Sequence, residues 1–289
     1  MVTLNYHHLR YFRAVAHDGN LTRTAERLNL SQSALSVQIK QLEQRLGHPL
    51  FERRGRQLHL TEAGRIALDH ADTIFETGDE LLSTLSETGR TRRAVRIGAL
   101  STLSRNLQLG FLRPLLGRAD TEIILASGSG RELFEALESL ALDVVLTNIL
   151  PAQDRLSSFL TQRIAEQPVG LFGTPGRMVG ADLATLLGAH PVILPTEGTI
   201  RAGFDSLVAG LDIRPQIAAE VDDMAMIRLL AREDVGLAVA PAVVLQDELA
   251  TGQLVEAAFA LNLTESFFAV SVKRRFPNPL LGPLLSGST

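Results

Sequence analysis

Residues 22–60 read TRTAERLNLSQSALSVQIKQLEQRLGHPLFERRGRQLHL, and this stretch decides the fold of the N-terminal part of the chain. Its apolar residues recur at helical spacing in two successive groups. The first group predicts a short helix through Leu21, Ala25 and Leu28. After a turn, Ser31 stands where a hydroxyl caps a helix. The second group then predicts a longer helix with a narrow apolar stripe, formed by Leu35, Ile39, Leu42 and Leu46.

The second predicted helix carries a small, polar face away from its apolar stripe. Two helices joined by a short turn, the second with such a face, are typical of a helix-turn-helix that inserts its second helix into the major groove of DNA. Gln can form two hydrogen bonds with adenine, Ser is permissive, and Val favours a thymine methyl group. The expected base-reading residues are Gln32, Ser33, Ser36 and Val37.

Residues 49–60, PLFERRGRQLHL, place apolar residues on both sides of a basic centre. This pattern predicts a two-stranded wing whose basic tip contacts DNA phosphates. Together with basic residues of the two helices, the expected phosphate contacts are Arg23, Lys40, Arg53, Arg54 and Arg56.

The first sixty-odd residues resemble the N-terminal domain of the LysR-type transcriptional regulators. The resemblance rests on an opening LRYF at residues 9–12, the pattern AERLxxSQxALSxQIxxLE, and the ending LGxxLFxRxxR…LTxAG. It implies a winged helix-turn-helix followed by a long dimerisation helix and an effector-binding domain. Many relatives have Pro at the position of Ser33 and Arg at that of Val37, so two base contacts differ here from the usual ones.

The next helix is predicted from Thr61, a capping residue, to about Thr88. Its apolar residues repeat alternately at four and three, as in a coiled coil. No neighbouring helix in the sequence covers this face, so we expect a second chain to do so. The resemblance implies an antiparallel pair and hence a pseudo-palindromic DNA site. The expected dimer seam is Ala71, Ile74, Gly78, Leu81 and Leu85, continuing the repeat from Ala67.

Charge and composition agree with a DNA-binding head on a separate regulatory part. Residues 1–66 hold ten Lys or Arg against five Asp or Glu, whereas the whole chain holds 28 against 32. A basic head on an acidic remainder is the pattern expected of a nucleic-acid binder. The absence of cysteine excludes disulfides and thiolate zinc sites. With no apolar run long enough for a membrane and no signal peptide, we expect a cytoplasmic protein.

After about residue 94 the pattern changes to short, continuous apolar runs that alternate with helical stretches, which predicts a parallel α/β sheet. The pattern restarts near Pro168, which indicates two lobes rather than one large sheet. The resemblance implies a two-lobed fold like that of periplasmic binding proteins. The expected fold is therefore α+β and multidomain, with these parts: winged helix-turn-helix, 1–60; linker helix, 61–88; hinge, 89–93; first lobe, 94–167 with 267–289; second lobe, 168–266.

In sheets of this kind ligands bind beyond the carboxyl ends of the strands, near helix N-termini. In the family these strand ends line the inducer cleft. The expected effector-binding residues are Ser101, Thr102, Ser127, Gly128, Thr147, Asn148, Thr196, Glu197 and Pro241.

The sign of the effector's charge stays open at this point. Small carboxylates are common inducers in the family, and Arg201, one turn after Glu197, could neutralise that carboxylate. Alternatively, Glu197 favours a cationic or neutral ligand. The opening and the wing look most like the branch that regulates sodium/proton antiporter genes, which favours a cation.

Two other functional classes explain the sequence less well. An enzyme would need a catalytic motif, and the chain has no G-x-S-x-G elbow, Walker loop or H-E-x-x-H. A solute-binding protein would need export, and it leaves the first ninety residues unexplained. We therefore expect a ligand-responsive regulator that is not an enzyme and needs neither cofactor nor metal. Its expected partners are double-stranded DNA, a second copy in a homodimer or homotetramer, and RNA polymerase, but not a membrane.

Overall fold

The computed structural model describes residues 3–54, 57–86, 92–151, 159–179 and 182–286. The chain divides into two compact units, Met1–Ser86 and Glu87–Thr289, which we call the head and the body. Each is described by itself.

The head contains four helices and one hairpin among its described residues. The helices are α1 Tyr6–Asp18, α2 Leu21–Arg27, α3 Gln32–Leu46 and α4 Glu62–Ser86, and the hairpin strands are β1 Phe51–Arg54 and β2 Gln57–Leu60. Ser31 caps α3 as predicted, because its hydroxyl accepts a hydrogen bond from the Ala34 N–H at 3.1 Å. Gly19 ends α1 with a φ of 70°, a conformation that only glycine adopts without strain.

The predicted apolar stripe of α3 forms the centre of the head. Leu35 and Leu42 are fully buried and Ile39 is nearly so, whereas Leu46, the last member of the stripe, is exposed. The rings of Phe12 and Phe51 lie 5.3 Å apart, which joins α1 to the wing.

The junction between the wing and α4 explains one glycine of the LTxAG ending. Thr61 caps α4 as predicted, with its hydroxyl accepting from the Gly64 N–H at 2.9 Å and donating to the Pro49 carbonyl at 2.7 Å. A Cβ added at Gly64 would lie 2.0 Å from the Leu50 carbonyl oxygen. Only glycine therefore fits at position 64 without a shift of the backbone.

Most of the predicted elements of the body are present, with several additions. Its strands are β3 Arg93–Leu100, β4 Thr121–Gly128, β5 Val144–Thr147, β6 Phe159–Gly173, β7 Val192–Pro195, β8 Ile217–Val221, β9 Leu237–Pro241, β10 Val255–Glu256 and β11 Leu263–Val272. Its helices are α5 Arg105–Leu112, α6 Gly130–Glu138, α7 Leu183–Ala189, α8 Thr199–Gly210, α9 Met224–Arg232, α10 Gln246–Thr251 and α11 Leu281–Ser286, with single 3-10 turns at Arg113–Leu115 and Ala242–Leu245. Of the predicted hinge, residues 89–91 lie outside the described residues and Arg93 begins β3.

The strands form one mixed sheet with the order β4-β3-β5-β11-β6-β9-β7-β8, and β10 pairs with β6. Two hydrophobic cores lie along it. One joins β3, β5 and the first half of β6 to α5, α6 and α11, and the other joins the second half of β6 to β7, β9, α8 and α9. We call these lobe I and lobe II.

The two lobes share one sheet, although the sequence pattern indicated separate ones. The reason is β6, whose continuous apolar run begins only at Val169, next to the point where the sequence pattern restarts. Its first half carries mostly exposed polar residues such as Gln162, Arg163 and Glu166 and therefore lacks an apolar run. Paired with β11 along its length, β6 passes from one core into the other.

Candidate DNA-binding and effector sites

The four expected base-reading residues lie on the outward side of α3. Gln32 and Ser33 stand in its first turn, Val37 is half exposed, and Ser36 is partly exposed. The Ser33 hydroxyl lies 3.1 Å from the hydroxyl of Ser31, which also caps the helix. The N-terminal part of α3 thus presents donors, acceptors and a methyl surface to an approaching partner.

The basic side chains of the head differ in how far they are already paired. Arg23 forms an ion pair with Asp18 at 2.6 Å, and Arg27 reaches the same carboxylate at 3.8 Å. The hydrogen bond from Arg23 lowers the pKa of Asp18 below its usual value. Lys40 is exposed and forms no ion pair with any residue that the structure describes. Lys40 is therefore more available for a phosphate than Arg23, the other expected phosphate contact on the helices.

The wing is held to α3 by a side chain that sequence reasoning missed. Glu43 accepts hydrogen bonds from the backbone N–H groups of Leu50 at 2.7 Å and Phe51 at 3.2 Å. Arg53 and Arg54 belong to β1, and Arg56 lies outside the described residues. Because Glu43 fixes the start of the hairpin, the direction of the wing depends on α3.

The expected dimer seam divides into two parts along α4. Ala71 is fully buried in the core of its own head, so its assignment to an exposed seam is wrong: α1 packs on this part of α4. Ile74 is partly buried in the same core. Further along, Gly78 is exposed, and large apolar side chains face solvent, namely Leu81 (57% exposed), Leu82 (70%) and Leu85 (57%).

A cavity of about 560 Å³ lies beside the first half of α4. Side chains from the beginning of the head, the end of α3 and the first four turns of α4 line it, including Leu4, Leu46, Ala63, Ile66, Ala67 and Ile74. The head therefore has an apolar recess at one end of α4 and exposed leucines at the other.

In the body, strand register groups the expected effector residues at the carboxyl ends of the strands, and each lobe has one such carboxyl edge. In lobe I, Gly128 is level with Leu100, and Leu146 is level with Ala99, so Ser101, Ser127 and Thr147 end adjacent strands. In lobe II, the Thr196 N–H bonds to the Val221 carbonyl at 3.2 Å beyond β7, and Pro241 ends β9. Both sets lie at carboxyl ends of parallel strands, where α/β sheets bind ligands.

Some of these polar side chains are already engaged within the body. The Thr147 hydroxyl is fully buried and exchanges hydrogen bonds with the backbone of Ile149 at 2.8 and 2.9 Å. The Ser127 hydroxyl accepts from Arg105 at 3.0 Å. Arg105 was missed because α5, which it begins, was not predicted. Thr102 is half-buried, and Ser101 and Thr196 are exposed.

The structure does not pair Glu197 with Arg201, the residue considered above as one way to neutralise it. Arg201 instead pairs with Asp205 at 2.9 Å and with Glu220, while Glu197 is exposed. Asp205 lies one helical turn after Arg201 and Glu220 lies on the adjacent β8, so both reach the guanidinium more directly. Glu197 therefore remains an exposed carboxylate at the start of α8.

A second carboxylate, which the sequence did not single out, lies in the interior of the body. Glu265 on β11 is only 4% exposed, and it accepts a hydrogen bond from the Asn148 amide at 2.8 Å. Burial raises the pKa of Glu265 above its usual value, and the Asn148 hydrogen bond partly opposes this. The sequence signal was weak, because a single Glu in the alternating strand LTESFF suggests a solvent-facing position.

Other chemistry has little support in the described part of the chain. No group of His, Asp or Glu there could hold a metal ion, and no helix there is long and apolar enough to cross a membrane. Asp223 caps α9 by accepting from the Ala225 N–H at 2.9 Å, so this carboxylate has a structural role.

Comparison with known proteins agrees with this arrangement. The family model for the bacterial regulatory helix-turn-helix protein, lysR family, matches residues 6–65, and that for the LysR substrate binding domain matches residues 88–286. The transcriptional activator protein NhaR of Escherichia coli strain K12 is 26% identical over 288 residues, covering 96% of this chain and 93% of NhaR.

Two solved structures have the same fold. CbnR, a LysR family transcriptional regulator, has a TM-score of 0.54 at 23% identity, with coverage of 99% of this chain and 100% of CbnR. DarR of Vibrio fischeri, solved in complex with DNA, has a TM-score of 0.54 at 21% identity and 98% coverage of both chains. The chain belongs to the LysR family: it is a DNA-binding transcriptional regulator with an effector-binding domain, and not an enzyme.

Proposed function

We propose that a homodimer of this chain binds a pseudo-palindromic DNA site and that a small effector bound between lobes I and II changes the regulatory output. The observation that carries this proposal is that the head combines two features. Helix α3 has an exposed, polar face, and α4 is covered along only half of its length. The first feature suits a DNA groove, and the second suits another copy of the chain.

The two halves of α4 complement each other in an antiparallel pair. If two α4 helices cross at Ile74, Leu81 of one chain faces Ala67 of the other, and Leu82 and Leu85 face Ile66 and Ala63. These facing residues line the apolar cavity of the head. Removing the exposed leucines from water would stabilise the dimer by roughly 25 cal/mol per Å² of apolar surface.

In this dimer Gln32, Ser33, Ser36 and Val37 read bases, and Lys40 and the wing arginines contact phosphates. Phosphate contacts supply affinity for any sequence, and base contacts supply the choice among sequences. Arg23 contributes less than Lys40, since its guanidinium already pairs with Asp18.

The effector site is the cleft formed by the two carboxyl edges, which includes Ser101, Thr102, Ser127, Gly128, Thr147, Asn148, Thr196, Glu197 and Pro241. A ligand that bound one arrangement of the lobes better than another would shift their populations. Exposed apolar residues on the edge strand β4, Ile124 and Leu125, support further association into a tetramer. Contact with RNA polymerase, in the cytoplasm, would connect this change to transcription.

The test is fluorescence anisotropy of the full-length protein on the DNA upstream of its own gene, with a random duplex of equal length as the control. We expect affinity in the nanomolar range for the upstream DNA, at least about a thousandfold above the random duplex, and a steep fall with salt. Absence of binding to either duplex at low salt would contradict the DNA-binding role of the head.

Stoichiometry is measured on the same samples by sedimentation. A dimer that binds one duplex through two half-sites supports the proposal, whereas a monomer that binds with full affinity contradicts it.

A further inference from the structure

Glu265 lies between the two carboxyl edges that form the cleft. On β11, Leu263 is level with Val169, which is in turn level with Pro241 at the edge of lobe II. Phe268, five residues later, is level with Thr147 at the edge of lobe I. Strand register therefore places Glu265 on the segment that joins the lobes.

The hydrogen bond between Asn148 and Glu265 leaves one buried acceptor beside it without a donor. The Asn148 amide nitrogen donates to Glu265 Oε1, and the buried Asn148 Oδ1 has no hydrogen-bond partner among the described residues. Gln167 is directly opposite Glu265 in the β6–β11 ladder, so its side chain projects from the same face. A buried acceptor without a donor destabilises the folded state, and a bound donor would remove this penalty.

The charge of Glu265 is also uncompensated within the body. None of the basic side chains that the structure describes forms an ion pair with it, whereas Asp143, equally buried, is bonded to Arg274 and Asn278. Burial without a cationic partner is what raises the pKa of Glu265. A cation that bound here would supply both the missing charge and the missing donor.

We propose that Glu265 and Asn148 form the part of the effector cleft that selects a ligand with a cationic N–H group, an ammonium or guanidinium. This rests on the proposed function, since it specifies the ligand class of the same cleft. An ammonium has three donors and a guanidinium five, so either can bond the carboxylate and Asn148 Oδ1 together. A bare divalent ion fits less well, because it requires about six oxygen ligands and several carboxylates.

The experiment measures thermal shift and calorimetric binding on the full-length protein. The probes are butylammonium, putrescine and methylguanidinium chlorides, with sodium chloride at equal ionic strength, butanol and sodium butyrate as controls. The variants are Glu265→Gln, which keeps the shape and removes the charge, and Asn148→Ala. Glu122→Gln is the matched control, because it removes an exposed carboxylate of the body at the amino end of β4, on the opposite side of the sheet edge from the cleft.

We expect the cationic probes to raise the melting temperature of the wild type beyond the effect of sodium chloride. Glu265→Gln should weaken their binding by at least about tenfold, consistent with loss of a hydrogen bond to a charged group. Asn148→Ala should weaken it too, and Glu122→Gln should leave it unchanged. Unchanged affinity in Glu265→Gln, binding of butyrate in preference to the amines, or no response to any cationic probe would each overturn the inference.

Anisotropy on the upstream DNA, measured with the same preparations, distinguishes the two levels of the proposal. Specific DNA binding without a response to the cations would reject only the ligand class. Absence of specific DNA binding by the wild-type protein would reject the proposed function itself.

Discussion

The head and the body place their functional side chains in opposite environments. In the head, Gln32, Val37 and Lys40 project from a helix whose other side is fully packed. In the body, Thr147, Asn148 and Glu265 are buried or half-buried and bonded to one another or to nearby backbone. A surface residue can change without disturbing the fold, whereas a buried polar residue serves stability and binding together.

The comparison predicts that exposed positions in the head affect DNA binding without affecting folding. The largest effect should come from Leu82→Asp combined with Leu85→Asp. Both side chains face solvent in the single chain, so the head should stay folded while the dimer separates. Losing simultaneous binding to two half-sites should lower DNA affinity by about a hundredfold. Sedimentation and anisotropy measure the two effects.

Asp79→Lys is the matched control for the leucine variants, because it also changes the charge of α4 by two. Asp79 is exposed on α4 and lies about 140° around the helix axis from Ile74, away from the proposed contact. If it dissociates the dimer as strongly as the leucine variants, the proposed seam is wrong.

The head's scaffold should be as intolerant of change as the interior of the body, and Gly64 tests this. Gly64→Ala places a methyl group against the Leu50 carbonyl, so unfolding should become easier by about 1–3 kcal/mol. The same change at Gly78, which has open space around it, should stabilise α4 by about 0.5–1 kcal/mol. Both tyrosines, Tyr6 and Tyr11, lie in the head and the chain has no tryptophan, so tyrosine fluorescence during a urea titration reports on this unit alone.

Replacing Gln32 should affect the sequence specificity of DNA binding more than its overall affinity. Gln32→Ala should reduce discrimination at one base pair by about 1–3 kcal/mol while leaving the melting temperature unchanged. Competition with a set of single-base-pair variants of the site measures this. Equal losses on specific and random duplexes would contradict a base contact.

The two cations of the head should differ in their salt effects. Lys40→Ala should lower the slope of log affinity against log salt by about one, as expected for one phosphate contact. Arg23→Ala should lower it less, because the ion pair with Asp18 competes with the phosphate. A larger effect from Arg23 would mean that this ion pair opens on DNA.

The smallest predicted effect concerns the stability of the body as pH changes. Because burial raises the pKa of Glu265, the folded state holds the proton more tightly than the unfolded state. The contribution of Glu265 to the free energy of unfolding is therefore fully present below pH 4.5, the ordinary pKa of a glutamate side chain. It is lost as the pH rises through the folded-state pKa. Glu265→Gln should be more stable than the wild type near neutral pH, and the difference should shrink toward about pH 5. Circular dichroism melts at a series of pH values measure it, and a difference between the two proteins that does not change with pH would contradict the prediction.

The difference between the two regions also explains what could be predicted from sequence. The head follows from local spacing: the caps at Ser31 and Thr61, the end of α1 at Gly19 and the packing of Leu35 and Leu42 each depend on residues a few positions apart. Even there, Ala71 was assigned to a partner, because a heptad repeat does not distinguish a second chain from the chain's own α1.

The body depends on register between strands that are far apart in sequence. The carboxyl ends of the strands were predicted from apolar runs, but the partner of Arg201 was not, because Glu220 lies on a neighbouring strand. Glu265 was overlooked for the same reason. Its burial follows from the β6–β11 pairing, and β6 has too few apolar residues in its first half to be predicted.

The pairing of β6 with β11 places the two chain connections of lobe II side by side. The chain leaves lobe I along β6 and returns along β11, and Glu166 and Ser266 are directly opposite each other in the ladder. Residues 167–265 thus form one continuous insertion whose two chain connections to lobe I lie next to each other. Such a segment could be exchanged between relatives as a cassette, which would transfer a new ligand response while the head kept its own DNA sequence.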